Sequence, residues 1–215
     1  SSISRLSHAG AYTHAGPEIG VASTKAFTGQ LAVLTMMALK MAKAKGSISD
    51  DRYIHLLNEL ASVPEKVKEI LADTSVIEKI AKKYKDASDF LYLGRGYNFP
   101  IALEGALKLK EITYIHAEGY PAAEMKHGPI ALIDKGTPVV AIMPTKDSVL
   151  AEKMASDIQE VKARGAVVIA ISEFDFVGAD HLIRIPTVDL LLQPVLSVVP
   201  LQVIAYEMAV ARGND

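Results

Sequence analysis

Two charged segments in the middle of the chain carry the residue types that proton transfer needs. Lys108 and Glu111 lie three positions apart in the apolar segment 103–111, so on a helix both can point to one side. His127 follows in the sequence Lys-His-Gly-Pro at 126–129. Burial raises the pKa of a carboxyl group and a nearby ammonium lowers it, and a base tuned in this way can take a proton from carbon. These three residues are therefore candidate catalytic residues.

Each candidate also has a simpler interpretation. Lys108 and Glu111 could form a surface ion pair, and Glu104, one turn earlier, could pair with the lysine instead. His127 could be an exposed loop histidine. His116, near the end of the same predicted helix, could cap the last carbonyls of that helix.

A second candidate site lies near the start of the chain. Residues 20–25, Gly-Val-Ala-Ser-Thr-Lys, place hydroxyls, amides and a lysine at the start of a predicted helix. This is either an anion or sugar site or an ordinary capped helix. The glycines at 94 and 96 do not form a dinucleotide fingerprint, and we find no Walker loop and no zinc-type spacing of ligands. We therefore predict no cofactor and no metal.

Helices dominate the first part of the predicted structure. Residues 1–22 look like a strand or loop, and a helix starts at Ser23 or Thr24 and runs to Gly46. Its central portion is apolar nearly all round, which predicts burial on several sides. A charged, amphipathic helix follows over 50–73, with a possible kink at Pro64, and then a short helix over 75–84.

Apolar strands alternating with helices dominate the rest. The pattern predicts strands at 90–94, 138–143, 166–171 and 182–186 and helices at 100–114, 148–164 and 195–211. This alternation is typical of an α/β fold with a doubly wound parallel sheet flanked by helices. Such sheets bind ligands at the carboxyl ends of their strands, and the loop 94–98 follows one. Prolines interrupt the apolar stretch 190–210, which favours a buried core helix over a membrane span.

Composition narrows the class of protein further. Half of the 215 residues are hydrophobic, which excludes a disordered chain. The formal net charge is −2 with no basic run, so nucleic acid is not an expected partner. The absence of cysteine excludes disulfides and a cysteine nucleophile and is compatible with the cytoplasm. No basic-then-apolar leader follows Ser1, so we expect a cytoplasmic protein without a secretory signal.

Two long motifs add a resemblance to a known family. Residues 15–28, AGPEIGVASTKAFT, resemble the end of the first sugar isomerase (SIS) domain of the glucosamine-6-phosphate synthases, also called glutamine–fructose-6-phosphate aminotransferases (isomerising). Segments 93–96, 102–111 and 126–129, with Glu118, resemble their second SIS domain. The resemblance implies the C-terminal part of a first SIS domain at 1–47, a helical connector at 48–75 and a flavodoxin-like second SIS domain at 76–215.

The resemblance also implies a reaction. The family converts fructose 6-phosphate to glucosamine 6-phosphate with ammonia released from glutamine in a separate domain. Glu111 then resembles the base that moves a proton between C1 and C2, and Lys108 its charged partner. His127 resembles the ring-opening histidine that reaches the adjacent subunit, which implies a homodimer with a shared active site. Val21 and Ser23 resemble residues that line the sugar pocket.

The sequence also departs from the family. It lacks the serine-rich phosphate loop of the first domain, the C-terminal tail with its Schiff-base lysine and the glutaminase domain, and the loop 144–148 matches a phosphate cradle poorly. We therefore expect a fragment that does not make glucosamine 6-phosphate alone, with exposed apolar faces such as 31–41 that favour association. The alternatives are a non-catalytic SIS module that senses a sugar phosphate and another SIS-type isomerase or deglycase. No basic recognition helix of a DNA-binding regulator is visible, which favours the enzyme.

Overall fold

The computed structural model describes residues 2–146 and 149–214, and it divides into one unit up to Leu60 and another from Ala61. The first unit begins with a short helix α1 (Ser2–Leu6), where we predicted a strand or loop. Helix α2 (Lys25–Ala44) follows, with Thr24 at its N-cap, as predicted to within a few residues. Helix α3 (Asp50–Ala72) begins in this unit and continues without a break through Pro64.

The apolar helix α2 is not buried on several sides, so that prediction is wrong for this chain. Leu39 is its one fully buried residue. Leu34, Met37 and Met41 are each more than half exposed. The exposed stripe agrees with the expectation that an apolar face over 31–41 is left uncovered, and such a face favours association.

The second unit is built on a parallel sheet of five strands in the order β2-β1-β3-β4-β5. The strands are β1 (Asp89–Gly94), β2 (His116–Pro121), β3 (Pro138–Ile142), β4 (Val167–Ser172) and β5 (His181–Arg184). The helices are α4 (Ser75–Tyr84), α5 (Asn98–Thr113), α6 (Val149–Ala163) and α7 (Gln193–Arg212). Two 3₁₀ helices, Ala122–His127 and Pro129–Leu132, connect β2 to β3.

This order confirms the predicted doubly wound, flavodoxin-like α/β class. Strands β1, β3 and β4 are buried almost throughout, because helices cover both faces of a parallel sheet. The topological switch lies between β1 and β3, since the chain leaves β1 toward one edge of the sheet and leaves β3 toward the other. Ligands of such folds bind at this carboxyl edge. The predicted start of α6 at Ser148 lies outside the described residues.

Strand β2 is the element that the sequence failed to predict. Its sequence, HAEGYP, contains no apolar run, because an edge strand is covered on fewer sides than a central one. Tyr114 caps the helix before it, α5; its φ of 62° turns the chain, and its N–H donates to the Lys110 carbonyl at 3.2 Å. His116 therefore does not cap that helix. It begins β2 and its Nδ1 contacts Asp89 Oδ1 at 2.8 Å.

Helix α7 closes the unit and is its most deeply buried helix. Among the described residues it is the one helix long and apolar enough to cross a membrane, and 61% of its most apolar window is buried. It packs against α4 and α5. This burial confirms the interpretation of 190–210 as a core helix, two of whose residues, Ser197 and Gln193, are fully buried polar groups.

Candidate active site

Helix α5 carries a buried charge cluster that joins the predicted catalytic pair. Lys108 Nζ lies 2.6 Å from Glu111 Oε2 and 3.6 Å from Glu104 Oε1. The three residues share one face because they are spaced at i, i+4 and i+7. The side chain of Lys108 is only 4% exposed, so the alternative of a surface ion pair is wrong. Both pairings that the spacing allowed are present at once.

The two carboxylates of this cluster differ in their access to solvent. The side chain of Glu104 is 11% exposed and that of Glu111 is 30% exposed. Burial raises the pKa of Glu104, and the attraction of Lys108 opposes that rise. One ammonium thus contacts two carboxylates, and Glu111 is the more accessible of the two to solvent.

Close contacts of glycines fix the position of α5. A Cβ on Gly94, at the end of β1, would lie 2.2 Å from the Asn98 carbonyl oxygen, so only glycine permits this tight entry into the helix. A Cβ on Gly119 in β2 would lie 2.9 Å from the Cα of Leu103, so α5 rests directly on the β2 backbone. These two contacts hold the helix against β1 and β2.

A buried amide network anchors the first turn of α5, and sequence reasoning did not find it. Asn98 Nδ2 donates to Gln193 Oε1 at 3.0 Å, and Gln193 Nε2 donates to the Met143 carbonyl at 3.0 Å. The network joins the start of α5, the end of β3 and the start of α7. The signal in the sequence was a polar amide next to apolar residues at two predicted helix starts. Since 95 positions separate the partners, that signal could not pair them.

Arg95, in the loop after β1, is committed to a salt bridge. Its Nε lies 2.6 Å from Asp157 Oδ2 and its second nitrogen donates to Oδ1 at 3.0 Å. The hydrogen bond to Asp157 raises the pKa of the Arg95 guanidinium. The bidentate contact orients this loop against α6. The guanidinium is thus already paired with a carboxylate at the carboxyl edge of the sheet.

No hydrogen bond or ion pair among the described residues joins His127 to the Lys108–Glu111 pair. His127 ends the 3₁₀ helix 122–127, is exposed, and has no hydrogen bond or ion pair with any described residue. Gly128, with φ of 144°, follows it in a conformation that favours glycine. The neighbouring Lys126 pairs with Glu160 at 3.3 Å. Within this chain, the described contacts do not bring His127 to Glu111.

The predicted sugar-pocket residues lie in the first unit. Val21 is exposed and Ser23 is half-buried beside the start of α2. The anion position at this helix start is taken by the chain itself. Glu18 Oε1 accepts hydrogen bonds from the N–H groups of Thr24 at 2.9 Å and Ala26 at 3.2 Å.

These contacts, led by the one from Ala26, lower the pKa of Glu18. The Lys25 ammonium donates to the Pro17 carbonyl at 2.6 Å. Of the two interpretations of this helix start, an anion or sugar site and an ordinary capped helix, these contacts match the second, with the Glu18 carboxylate as the cap. The predicted roles of Val21 and Ser23 stay predictions. Within residues 2–146 and 149–214, no three His, Asp or Glu side chains come together as metal ligands.

Comparisons with known proteins identify relatives of this arrangement. The family model described as "SIS domain" matches residues 83–212. Over its whole length the chain is 54% identical to a glutamine–fructose-6-phosphate aminotransferase (isomerising) from Bacteroides thetaiotaomicron, covering 35% of that protein. It is 51% identical to the enzyme of the same name from Thermococcus kodakarensis, covering 36% of it. The chain thus spans about a third of the length of these curated relatives.

Solved structures agree with this match. The C-terminal domain of glucosamine-fructose-6-phosphate aminotransferase from Francisella tularensis is 41% identical, with a TM-score of 0.88 over 94% of this chain and 58% of that one. A glucosamine-6-phosphate deaminase from Thermotoga maritima is 27% identical, with a TM-score of 0.65 over 92% of this chain and 55% of that one. Both similarities extend across both units of the chain.

Proposed function

This chain belongs to the SIS-domain family, and from that premise we propose that it forms part of the isomerase region of a glutamine–fructose-6-phosphate aminotransferase. The whole enzyme would convert fructose 6-phosphate to glucosamine 6-phosphate with ammonia from glutamine. The share of this chain would be the transfer of a proton between C1 and C2 of the sugar. The observation that carries the proposal is the buried Lys108 held between a buried and an accessible carboxylate.

The proposed proton transfer begins at Glu111. Its carboxylate takes a proton from C1 of the open-chain sugar after ammonia has replaced the oxygen at C2. The electron pair of the broken C1–H bond forms a C1=C2 double bond and the imine nitrogen at C2 takes up a proton, which gives an enediol-like intermediate with an amino group at C2. Glu111 then returns its proton to C2 while the C1 hydroxyl releases its own proton to solvent, which leaves an aldehyde at C1 and an amine at C2. One base serves both carbons, because they are adjacent and the intermediate is planar. The Lys108 ammonium, 2.6 Å from Glu111 Oε2, holds the Glu111 carboxyl group in one orientation for both transfers.

The test is Glu111→Gln in the full-length enzyme, with Glu152→Gln as the matched control. Glu152 is an exposed carboxylate in the first turn of α6. We expect E111Q to lower proton exchange between the sugar carbons and deuterated solvent about 10²–10⁴-fold, the usual contribution of a general base. E152Q should exchange at the wild-type rate. Normal exchange in a folded E111Q enzyme would refute the role of Glu111.

We propose further that His127 serves the active site of a second subunit in a homodimer. Its exposure and its lack of a partner among the described residues support this, as does the family resemblance. In such a dimer, each site combines Glu111 of one subunit with His127 of the other. A mixture of E111Q and H127N chains would then contain heterodimers with one intact site.

The mixing experiment has a quantitative outcome. Each variant alone should be inactive, and random mixing of full-length E111Q and H127N should restore roughly one quarter of the wild-type sites. A mixture that stays inactive while light scattering shows dimers would place both residues in the same subunit.

Val21 and Ser23 are proposed to line the sugar pocket. Ser23→Ala should then raise KM for fructose 6-phosphate more than it lowers kcat.

The relatives favour this aminotransferase over the other SIS-type enzymes. Identity to the B. thetaiotaomicron aminotransferase is 54% over the whole chain, and identity to the T. maritima deaminase is 27%. We propose a cytoplasmic enzyme that binds a sugar phosphate and no nucleic acid, in keeping with the cysteine-free sequence and the net charge of −2.

A further inference from the structure

A polar cleft lies at the carboxyl edge of the sheet, outside the α5 charge cluster. Glu173 follows β4 directly, and Arg184 and Thr187 lie at and beyond the end of β5. Glu69 and Asp73, from the end of α3 and the residue after it, complete the charged lining. The cleft has a volume of about 340 Å³, which is in the range of small-molecule sites.

Glu173 is the unusual residue of this cleft. Its side chain is buried, with 8% of the residue exposed. One oxygen, Oε1, accepts a hydrogen bond from the Lys146 N–H at 3.1 Å. The other, Oε2, is buried and has no partner among the described residues. Burying a carboxylate oxygen without a hydrogen-bond donor costs folding free energy. A ligand that donates a hydrogen bond to this oxygen would recover part of that cost.

The charges around the cleft define what it can bind. Three carboxylates, Glu69, Asp73 and Glu173, face one guanidinium, that of Arg184. The carbonyl end of α3 adds further negative potential at the same place. This excess favours an ammonium group and hydroxyl donors. The described residues of the cleft do not form a metal-ligand cluster, so an organic cation fits better than a bare metal ion.

The guanidinium of Arg184 can bind an anionic group of a ligand. Its side chain is half exposed, and its ion pair with Asp175 is 3.4 Å long to a carboxylate that is 93% exposed. An exposed pair of this kind is weak, so an anionic group of a ligand can displace Asp175. Guanidinium groups bind phosphate well. The cleft therefore combines carboxylate acceptors for an ammonium and hydroxyls with a guanidinium that can donate hydrogen bonds to a phosphate.

We propose that this cleft is a second ligand site of the chain, distinct from the α5 cluster, for a small amino-sugar phosphate. The inference rests on the proposed function only in that glucosamine 6-phosphate, the product of that reaction, is such a compound. In such a complex Glu173 Oε2, which is buried and without a donor among the described residues, would accept a hydrogen bond from the ligand ammonium. The cleft would thus sense the product away from the residues that make it.

The test is calorimetric titration of this chain with glucosamine 6-phosphate, glucose 6-phosphate and glucosamine. We expect glucosamine 6-phosphate to bind at least about tenfold more tightly than either of the others, each of which lacks one charged group. Glu173→Gln and Arg184→Met should each weaken binding at least about tenfold. Asp175→Asn should strengthen it, because the competing carboxylate is gone.

Controls separate this site from the proposed active site. Glu65→Gln removes an exposed carboxylate outside the cleft and should leave binding unchanged. Glu111→Gln should also leave it unchanged, although it abolishes the proposed proton transfer. If E111Q weakens binding and R184M does not, the ligand occupies the α5 cluster and the proposal is wrong. Absence of binding at millimolar ligand also overturns it. Arg184 is exposed, so R184M decides the matter even if E173Q does not fold.

Discussion

Helices α2 and α5 are both apolar and both carry lysines, yet their environments are opposite. Helix α5 has eight fully buried residues, including Lys108, and it packs against β1, β2 and α7. Helix α2 has one fully buried residue and exposes Leu34 and Met37. The hydrophobicity of a helix therefore does not decide its burial. The neighbours that the fold provides decide it, and they also decide whether a charge on the helix is perturbed.

The largest expected difference between the two helices is the loss of stability when a lysine is replaced, Lys108 in α5 or Lys25 in α2. Lys108→Met leaves two partly buried carboxylates facing each other without a cation, and we expect a loss of about 3–5 kcal/mol in the free energy of unfolding. Lys25→Met, at the exposed start of α2, should cost less than about 1 kcal/mol. Urea unfolding followed by circular dichroism measures both. Adding Glu104→Gln to K108M should recover part of the loss, and equal losses for the two lysines would break the comparison.

A smaller difference in stability is expected between alanine substitutions at two glycines, Gly94 before α5 and Gly20 before α2. Gly94→Ala places a Cβ 2.2 Å from the Asn98 carbonyl oxygen, so β1 and α5 must move apart. We expect a cost of about 1–3 kcal/mol, typical of overpacking, and a decrease in the proton transfer that we propose for Glu111. Gly20→Ala, before α2, meets no atom within 4 Å and should change stability by less than about 0.5 kcal/mol. Thermal unfolding of the two variants measures the contrast.

The sequence predicted the features that depend on local pattern, and it missed those that depend on neighbours in the fold. Strands β1, β3 and β4 were predictable because a strand buried on both faces is an apolar run, whereas the edge strand β2 reads as a polar turn. The spacing of Lys108 and Glu111 predicted their contact, because helical neighbours are fixed by local geometry. The apolar segment 103–111 predicted a buried helix, but it did not predict that the Lys108 side chain is itself buried, since that depends on neighbours distant in sequence.

Helix starts were predicted only in part. The pattern at 23–25 located the start of α2, but the group that caps it, Glu18, lies six positions before Thr24 in irregular chain. The Asn98–Gln193 hydrogen bond was beyond sequence reasoning for a similar reason, because it joins two distant helix starts. Long-range side-chain partners are the part of the site that one sequence does not specify.

Acidification should weaken the second unit before the first. His181 in β5 contacts the Tyr84 hydroxyl at 2.9 Å, and burial, helped by Lys83, lowers the pKa of His181 from its usual value near 6.5. The unfolded chain then binds the proton more readily than the folded chain. The neutral histidine contributes stability above about pH 6.5, and this contribution is lost as the pH falls through the lower folded pKa.

The pH dependence of unfolding measures this contribution. The free energy of unfolding of the second unit should fall as the pH drops below about 6.5, and His181→Gln should flatten that slope. His8, in the first unit, is exposed and makes no hydrogen bond or ion pair with another described residue, so His8→Gln serves as the control and should leave the slope as it is. A slope that survives H181Q would assign the effect to another group.

The smallest effect belongs to the exposed cap of α2. Hydrogen bonds from the Ala26 and Thr24 N–H groups lower the pKa of Glu18 below the usual 4.5. The folded chain therefore binds this proton less readily, so the cap is intact above about pH 4.5 and is lost as the pH falls through the lower folded value. The amide resonances of Ala26 and Thr24 should titrate in that acidic range, below the range of His181. Glu18→Gln should abolish the titration, while Glu65→Gln, which removes an exposed carboxylate elsewhere, should not. If these amides titrate at or above pH 4.5, Glu18 does not hold the helix start, and the position is open to an external anion after all.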